Sequence, residues 1–121
     1  MRKVTTSTFK VSEETIRSSF KKLKSNQKIS VCVPCRNEAS TIGEIVSSLN
    51  KKLLISGYID ELIVIDDSST DSTSTIAREA GAKVIPIEEI NSIYGQGGGK
   101  GNALWASLIS SDGDVVVWVD G

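Results

Sequence analysis

Short runs of hydrophobic residues alternate with segments of helical periodicity along most of the chain. The clearest run, LIVI at 62–65, is unbroken, which is typical of a strand buried on both faces in a parallel sheet. It stops at Asp66 and Asp67, so the segment 61–66 is predicted to be a strand that brings two carboxylates to one end of a sheet. Comparable runs predict three further strands, at 29–33, 83–87 and 114–120.

Apolar residues between these runs recur at intervals of three and four positions. Ile42, Ile45, Val46 and Leu49 predict a helix over about 40–49, with Thr41 and Glu44 as its expected capping box. Two more helices are predicted, one from an N-cap at Ser69 or Asp71 to Gly81, and one over 100–108 after a Gly-rich loop at 88–99.

This alternation of strands and helices predicts an α/β fold, in which a parallel sheet is flanked by helices and crossovers are right-handed. Ligands bind such sheets at the carboxyl ends of the strands. We expect four segments to converge at that edge: 34–38, 66–71, the loop before Lys100, and Asp120.

The predicted sheet occupies residues 29–121, and residues 1–28 form an N-terminal extension. Residues 1–10 carry no periodic pattern and are expected to lack regular structure, whereas a short helix is expected from Ser12 onward. The last strand, VVVWV, is of the buried type and needs cover on both faces. We therefore expect the chain to be part of a longer enzyme.

Composition removes several classes of function. The 121 residues carry a formal net charge of −1, which gives no case for a nucleic-acid-binding face. Histidine is absent, which excludes histidine acid/base chemistry and most zinc sites. Two cysteines are too few for a secreted disulfide scaffold, and no apolar run is long enough to span a bilayer. A cytoplasmic protein without membrane partners is expected.

Cys32-Val33-Pro34-Cys35 has the C-x-x-C spacing of thioredoxin-like redox modules. Cys32 lies inside a predicted core strand, however, where a small buried thiol is ordinary. Polar and acidic residues follow Cys35, unlike the apolar helix start of that family. The redox interpretation stays open but is disfavoured.

The Gly-rich segment before Lys100 matches neither of two phosphate-binding motifs. Tyr94 stands where a Walker A loop needs its first glycine, and Gly101 replaces the residue that would hold magnesium. No register satisfies G-x-G-x-x-G either. A flexible loop with a lysine at a helix start can still reach a phosphate or a base, although a plain surface loop is an equal alternative.

Asp66 and Asp67 alone would be consistent with an acidic helix start, and Asp120 alone with a turn. Their joint placement at strand ends of one sheet favours a ligand site. Carboxylates at that edge can accept hydrogen bonds from a base N–H or a ribose hydroxyl, and can hold a divalent metal against a pyrophosphate.

Several of these segments together resemble the GT-A nucleotide-sugar glycosyltransferases, whose fold is Rossmann-like. They are VCVPCRNEASTIGEIV, DELIVIDDSSTDST, AREAGAKVI and GKGNALWASL followed by GDVVVWVDG. The resemblance spans residues 29–121. Within that group, GKGNALWASL ahead of the acidic strand end is most similar to the glucosyl-3-phosphoglycerate synthases.

The resemblance implies a UDP-sugar site and a metal. Asp67 would meet the uracil and Lys100 the nucleotide, while Asp120 would be the first acid of a DxD metal motif that takes Mg²⁺ or Mn²⁺. Gly121 would be the middle residue of that motif, and the second acid would come next. Because that acid and the acceptor-binding half are not part of the sequence, the chain alone is expected to be inactive. The segment that would wrap the uridine contributes Pro34, Cys35, Arg36 and Glu38.

The activity implied for the full enzyme is transfer of glucose, with retention, from UDP-glucose to the 2-hydroxyl of 3-phosphoglycerate. A homodimer is a further expectation, and the sequence identifies no catalytic residue. Three alternatives remain: a polyprenyl-phosphate or other GT-A glycosyltransferase, a non-catalytic nucleotide-binding module, and the thioredoxin-like module.

Overall fold

A parallel sheet forms the centre of the molecule. The structure, a computed structural model, describes the backbone of residues 3–7, 27–94 and 99–119 and the side chains of residues 27–93 and 105–119. Within those ranges the sheet has five strands in the order β1-β5-β2-β3-β4, all paired in parallel. The strands are β1 (Lys3–Ser7), β2 (Ile29–Cys35), β3 (Glu61–Asp66), β4 (Lys83–Pro86) and β5 (Val115–Val119). The predicted parallel α/β class is confirmed.

Strand β1 corrects the prediction for residues 1–10, which were expected to lack regular structure. Lys3–Ser7 pairs in parallel with β5 along its whole length, from Lys3 opposite Val115 to Ser7 opposite Val119. Val4, Thr5 and Thr6 are β-branched and suit a strand. Five residues without apolar alternation carry too little signal to be recognised locally. The helix expected from Ser12 lies outside the described residues.

Helices lie between the strands, as predicted. The first continues beyond its expected end, and an additional helix occupies most of the loop expected at 88–99. The helices are α1 (Ile42–Leu49), which continues as a π-helical turn (Asn50–Leu54), then α2 (Thr73–Glu79), α3 (Ile87–Tyr94) and α4 (Gly99–Ser110). The loop expected at 88–99 is therefore wrong over most of its length. Ile87 and Ile90 are one helical turn apart and both buried, so packing against the sheet favours a helix there. Among the described residues, no helix has the length and hydrophobicity needed to cross a membrane.

Two apolar layers cover the sheet. One face carries α1, the π-helical turn and α2 over residues such as Val31, Val33 and Val64. The other carries α3 and α4 over Cys32, Ile63 and Val116. Because successive strand residues point to opposite faces, the unbroken apolar runs of β2, β3 and β5 supply both layers at once.

Polar groups close the amino edge of the sheet on one another. Ser30 Oγ donates to Glu61 Oε1 at 2.7 Å and accepts the N–H of Gly113 at 2.9 Å. Gly113 fits so closely that an added Cβ would lie 2.7 Å from the backbone nitrogen of Ser30. Asp60 Oδ2 accepts the N–H of Ile29 at 2.8 Å. These hydrogen bonds hold the amino ends of β2, β3 and β5 together.

Candidate nucleotide-binding edge

The carboxyl ends of β2 and β3 lie side by side at the centre of the sheet. Cys35 is the register partner of Asp66 at the last position of this strand pair. One residue further on, the N–H of Asp67 still donates to the carbonyl oxygen of Cys35 at 2.8 Å. The pairing brings together two of the four predicted segments, 34–38 and 66–71.

Hydrogen bonds then cross between the loop that follows β2 (residues 36–41) and the loop that follows β3 (residues 67–72). The N–H of Asn37 donates to Ser69 Oγ at 2.9 Å, and the N–H of Ala39 donates to Asp71 Oδ2 at 3.2 Å. In the opposite direction, Asn37 Oδ1 accepts the N–H of Thr70 at 2.7 Å. At the start of α2, Thr73 Oγ1 accepts the N–H of Glu38 at 2.9 Å. The two loops therefore form one surface.

The two adjacent aspartates after β3 lie in different environments. Asp66 is buried, with 7% of its surface exposed, and its Oδ1 accepts the N–H of Ser69 at 3.0 Å. Its Oδ2 accepts the hydroxyl of Ser74. Asp66 therefore caps the turn that follows β3. Asp67 is half-buried at the rim and is the more exposed residue of the two.

The start of α2 differs in detail from the prediction. Ser72 precedes the first helical residue and makes no capping hydrogen bond with its side chain, while Asp71 Oδ1 accepts the N–H of Thr73 at 3.0 Å. The expectation that Ser69 or Asp71 is the N-cap is therefore wrong, although Asp71 still accepts an N–H of the first turn from the position before the N-cap. The bond from the Thr73 hydroxyl lowers the pKa of the Asp71 carboxyl, with help from the N–H groups of Thr73 and Ala39.

At α1, the expected capping box is wrong, because the side chain of Thr41 makes no capping bond.

Both cysteines are buried free thiols, and they lie on opposite faces of β2. Burial raises the pKa of Cys35 to about 12, and the negative charge of Asp66 adds to the effect, followed by Glu38, Asp71 and Asp67. A redox-active C-x-x-C needs a thiolate that forms readily near neutral pH. The geometry and the raised pKa therefore argue against the thioredoxin-like alternative.

The other predicted residues of the segment 34–38 differ in their exposure. Pro34 is half-buried and Arg36 is exposed. Glu38 is half-buried, and its Oε2 is a buried oxygen that has no hydrogen-bond partner within the described part of the chain. Buried acceptors in folded proteins usually have a partner, so this oxygen marks Glu38 as a candidate contact for a bound donor such as a hydroxyl or a base N–H.

The structure does not fully describe two of the predicted site residues, Lys100 and Asp120. Lys100 is the second residue of α4, but its side chain lies outside the described residues. Asp120, together with Gly121, lies outside them as well; β5 ends just before it, at Val119. The juxtaposition of these two residues with Asp67 stays a prediction.

Three residues that make hydrogen bonds at this edge were not among the predicted site residues. Asn37 and Thr73 link the two loops, and Glu88 at the start of α3 accepts the hydroxyl of Ser68 at 2.7 Å. Asn37 and Ser68 both have positive φ angles, of 51° and 58°. Asparagine adopts positive φ angles more readily than most residues, which was an available signal at position 37. The sequence around Glu88 gave no indication that this residue would contact Ser68.

Comparison with known proteins identifies the family to which the chain belongs. The sequence model for "Glycosyl transferase family 2" matches residues 30–121, which include both loops of the carboxyl edge. The chain belongs to glycosyl transferase family 2.

The chain is similar to glucosyl-3-phosphoglycerate synthase of Petrotoga mobilis, with 45% identity over 102 residues, 82% of this chain and 31% of the relative. A crystal structure of glucosyl-3-phosphoglycerate synthase from Mycobacterium tuberculosis, in complex with Mn²⁺, UDP-glucose and phosphoglyceric acid, superposes with a TM-score of 0.75 and 34% identity. The match covers 98% of this chain and 40% of that one.

Mannosyl-3-phosphoglycerate synthase from Rubrobacter xylanophilus superposes with a TM-score of 0.73 and 32% identity, over 87% of this chain and 33% of that one. These superpositions confirm the GT-A fold predicted for this chain. The chain spans about a third of the length of the relatives it matches.

Proposed function

We propose that this chain forms the nucleotide-sugar-binding part of a cytoplasmic, retaining hexosyltransferase that transfers glucose from UDP-glucose to 3-phosphoglycerate. The observation that carries the proposal is the pairing of Cys35 with Asp66, which unites the two motif-bearing loops at the carboxyl edge of a family 2 sheet. The similarity to glucosyl-3-phosphoglycerate synthases supports the choice of donor and acceptor.

The proposed roles follow from the chemistry of each side chain. Asp67, half-buried at the rim, accepts a hydrogen bond from the uracil N–H. Glu38 offers the unpartnered buried oxygen Oε2 to a donor on the nucleoside. Arg36, exposed beside them, is placed to contact the polar parts of the nucleotide. Pro34 and Cys35 supply the apolar wall of the uridine pocket, and Lys100 contacts the nucleotide from the start of α4.

A divalent metal, Mg²⁺ or Mn²⁺, belongs to the proposal. Among the described residues, no group of three or more acidic, cysteine or histidine side chains is arranged to hold a metal ion. Asp120 is the residue of this chain that would ligate it, since a carboxylate oxygen is the hard ligand that both metals prefer. When bound, the metal offsets the charge on the diphosphate leaving group.

A second candidate is another family 2 hexosyltransferase with a different donor sugar or acceptor. The likeness to mannosyl-3-phosphoglycerate synthase favours this candidate, because a protein of the same fold and 32% sequence identity is named for mannose rather than glucose. A polyprenyl-phosphate acceptor is a variant of this candidate. Base recognition by Asp67 and Glu38 is the feature that separates a uridine enzyme from one that uses another nucleotide.

Calorimetric titration of UDP, GDP and CDP into the folded chain, with magnesium present, tests the proposed function. UDP should bind more tightly than the other two nucleotides. Preferential binding of GDP would contradict the uridine assignment. Failure of a folded chain to bind any of the three at millimolar concentration would contradict the proposal that it contains the base-recognition site.

A further inference from the structure

Asn37 makes more hydrogen bonds between the two edge loops than the predicted contact residues around it. Its N–H donates to Ser69 Oγ at 2.9 Å, and its Oδ1 accepts both the N–H of Thr70 at 2.7 Å and the hydroxyl of Thr70 at 3.2 Å. We refer to these bonds, which join residues 32 and 33 positions apart in sequence, as the Asn37 clamp.

The backbone of Asn37 is in the left-handed region, with φ at 51°, as is Ser68 in the facing loop, with φ at 58°. Residues other than glycine remain in this conformation where the surrounding contacts determine it, and such strain often accompanies functional sites. Because both donors from Thr70 point to Oδ1, the orientation of the Asn37 amide is fixed by the loop it contacts.

The position of the clamp relates it to the proposed uridine contacts. Asn37 lies between Arg36 and Glu38 in sequence, and the residues it binds lie two and three positions after Asp67. A displacement of one loop relative to the other would therefore change the separation between Glu38 and Asp67.

We propose that Asn37 is a positioning residue, whose clamp sets the loop of Asp67 against the loop of Arg36 and Glu38 before a nucleotide binds. The proposal rests on the proposed function for the identity of the ligand. The competing explanation is that position 37 needs only a residue that tolerates positive φ. Asparagine and glycine both do so, but only asparagine or aspartate offers the acceptor.

Three substitutions separate these explanations. Asn37→Gly keeps the backbone conformation and removes the acceptor, Asn37→Asp keeps both because Oδ1 receives donors only from Thr70 in the clamp, and Asn37→Ala removes both. Ser40→Ala, at an exposed position of the same loop, is the matched control.

Hydrogen exchange of the ligand-free chain is the first measurement. The Thr70 amide should exchange about tenfold faster in Asn37→Gly and Asn37→Ala than in the parent, and at the parental rate in Asn37→Asp and Ser40→Ala. Unchanged Thr70 exchange in Asn37→Gly would overturn the clamp.

UDP titration is the second measurement. Affinity should fall about tenfold in Asn37→Gly and recover in Asn37→Asp, whereas a need for positive φ alone predicts parental affinity in Asn37→Gly. Fast Thr70 exchange with parental UDP affinity in Asn37→Gly would overturn the positioning role. A parent chain that binds no UDP would contradict the proposed function, and the Thr70 exchange rates would then still decide whether the clamp exists.

Discussion

The thiol of Cys35 and the carboxylate of Asp66 lie next to each other at the end of the β2–β3 pair, with only 5% and 7% of the two residues exposed. Both belong to the face of the sheet that α1 and α2 cover. Burial together with the neighbouring negative charge keeps the thiol protonated, and hydrogen bonds to Ser69 and Ser74 satisfy the carboxylate. Asp66 therefore has a structural role, and Cys35 remains a protonated, apolar part of the proposed uridine pocket.

The two native thiols should be nearly inert toward a disulfide reagent such as Ellman's reagent at pH 8. Cys32 is fully buried, and the pKa of Cys35 is raised to about 12, so little thiolate forms. Labelling should be at least roughly a hundredfold slower than in urea, where both thiols react. Thr75→Cys, at an exposed position of α2, is the positive control. Rapid labelling of Cys35 in the native chain, together with insulin reductase activity, would restore the redox alternative.

Replacement of Asp66 by alanine should destabilise the fold. The change removes a buried acceptor of the Ser69 N–H and the Ser74 hydroxyl, and should lower the free energy of unfolding by about 2 kcal/mol. The expected decrease in Tm is roughly 5–10 °C, measured by circular dichroism. Asp67→Ala is the matched control, since the N–H of Asp67 keeps its bond to Cys35 and Tm should change little. Equal losses of Tm in the two variants would contradict the assignment of Asp66 as the structural acid.

Asp67→Ala should have its effect on ligand binding instead. An ionised acceptor makes a hydrogen bond worth about 1.5–3 kcal/mol, so affinity for UDP should fall about ten- to a hundredfold. Asp67→Asn should cost less, because the amide can still present an oxygen. Calorimetric titration measures both.

Lys100→Ala should also weaken UDP binding, without a change of fold, because Lys100 lies in the first turn of α4. Calorimetric titration with a parallel circular dichroism melt checks both statements, and Glu79→Ala, at an exposed position of α2, is a suitable control. If Lys100→Ala and Asp67→Ala both bind UDP like a parent that binds it, the site assignment is wrong.

Asp71 should make stability sensitive to acid. Its pKa is lowered below the ordinary 3.8 by the hydrogen bonds from Thr73, so the unfolded chain binds more protons than the folded chain between the two pKa values. The stabilisation is present above about pH 4 and is lost as the pH falls through the folded pKa. Urea unfolding at pH 7 and pH 3 should show a smaller difference between the parent and Asp71→Asn at pH 3. A difference that is the same at both pH values would refute this linkage.

Much of the sheet was predictable because its signals are local. The run LIVI and the apolar segments at 29–33 and 115–119 leave little alternative to buried parallel strands, and the polar residues that follow them mark the carboxyl edge. The helix α3 was missed because its buried residues, Ile87 and Ile90, adjoin a Gly-rich segment that outweighed them. The edge strand β1 was missed because its partner β5 is more than a hundred positions away in sequence.

The sequence alone determined the parallel α/β sheet, the family 2 motifs and the set of acidic residues at one edge. Tertiary structure decided which of those acids is structural, since with both faces of β3 buried only packing places Asp66 under α2 and leaves Asp67 at the rim. It also decided the contact of Asn37 with Thr70, because a hydrogen bond across 33 positions exists only once β2 and β3 have paired and brought their loops together.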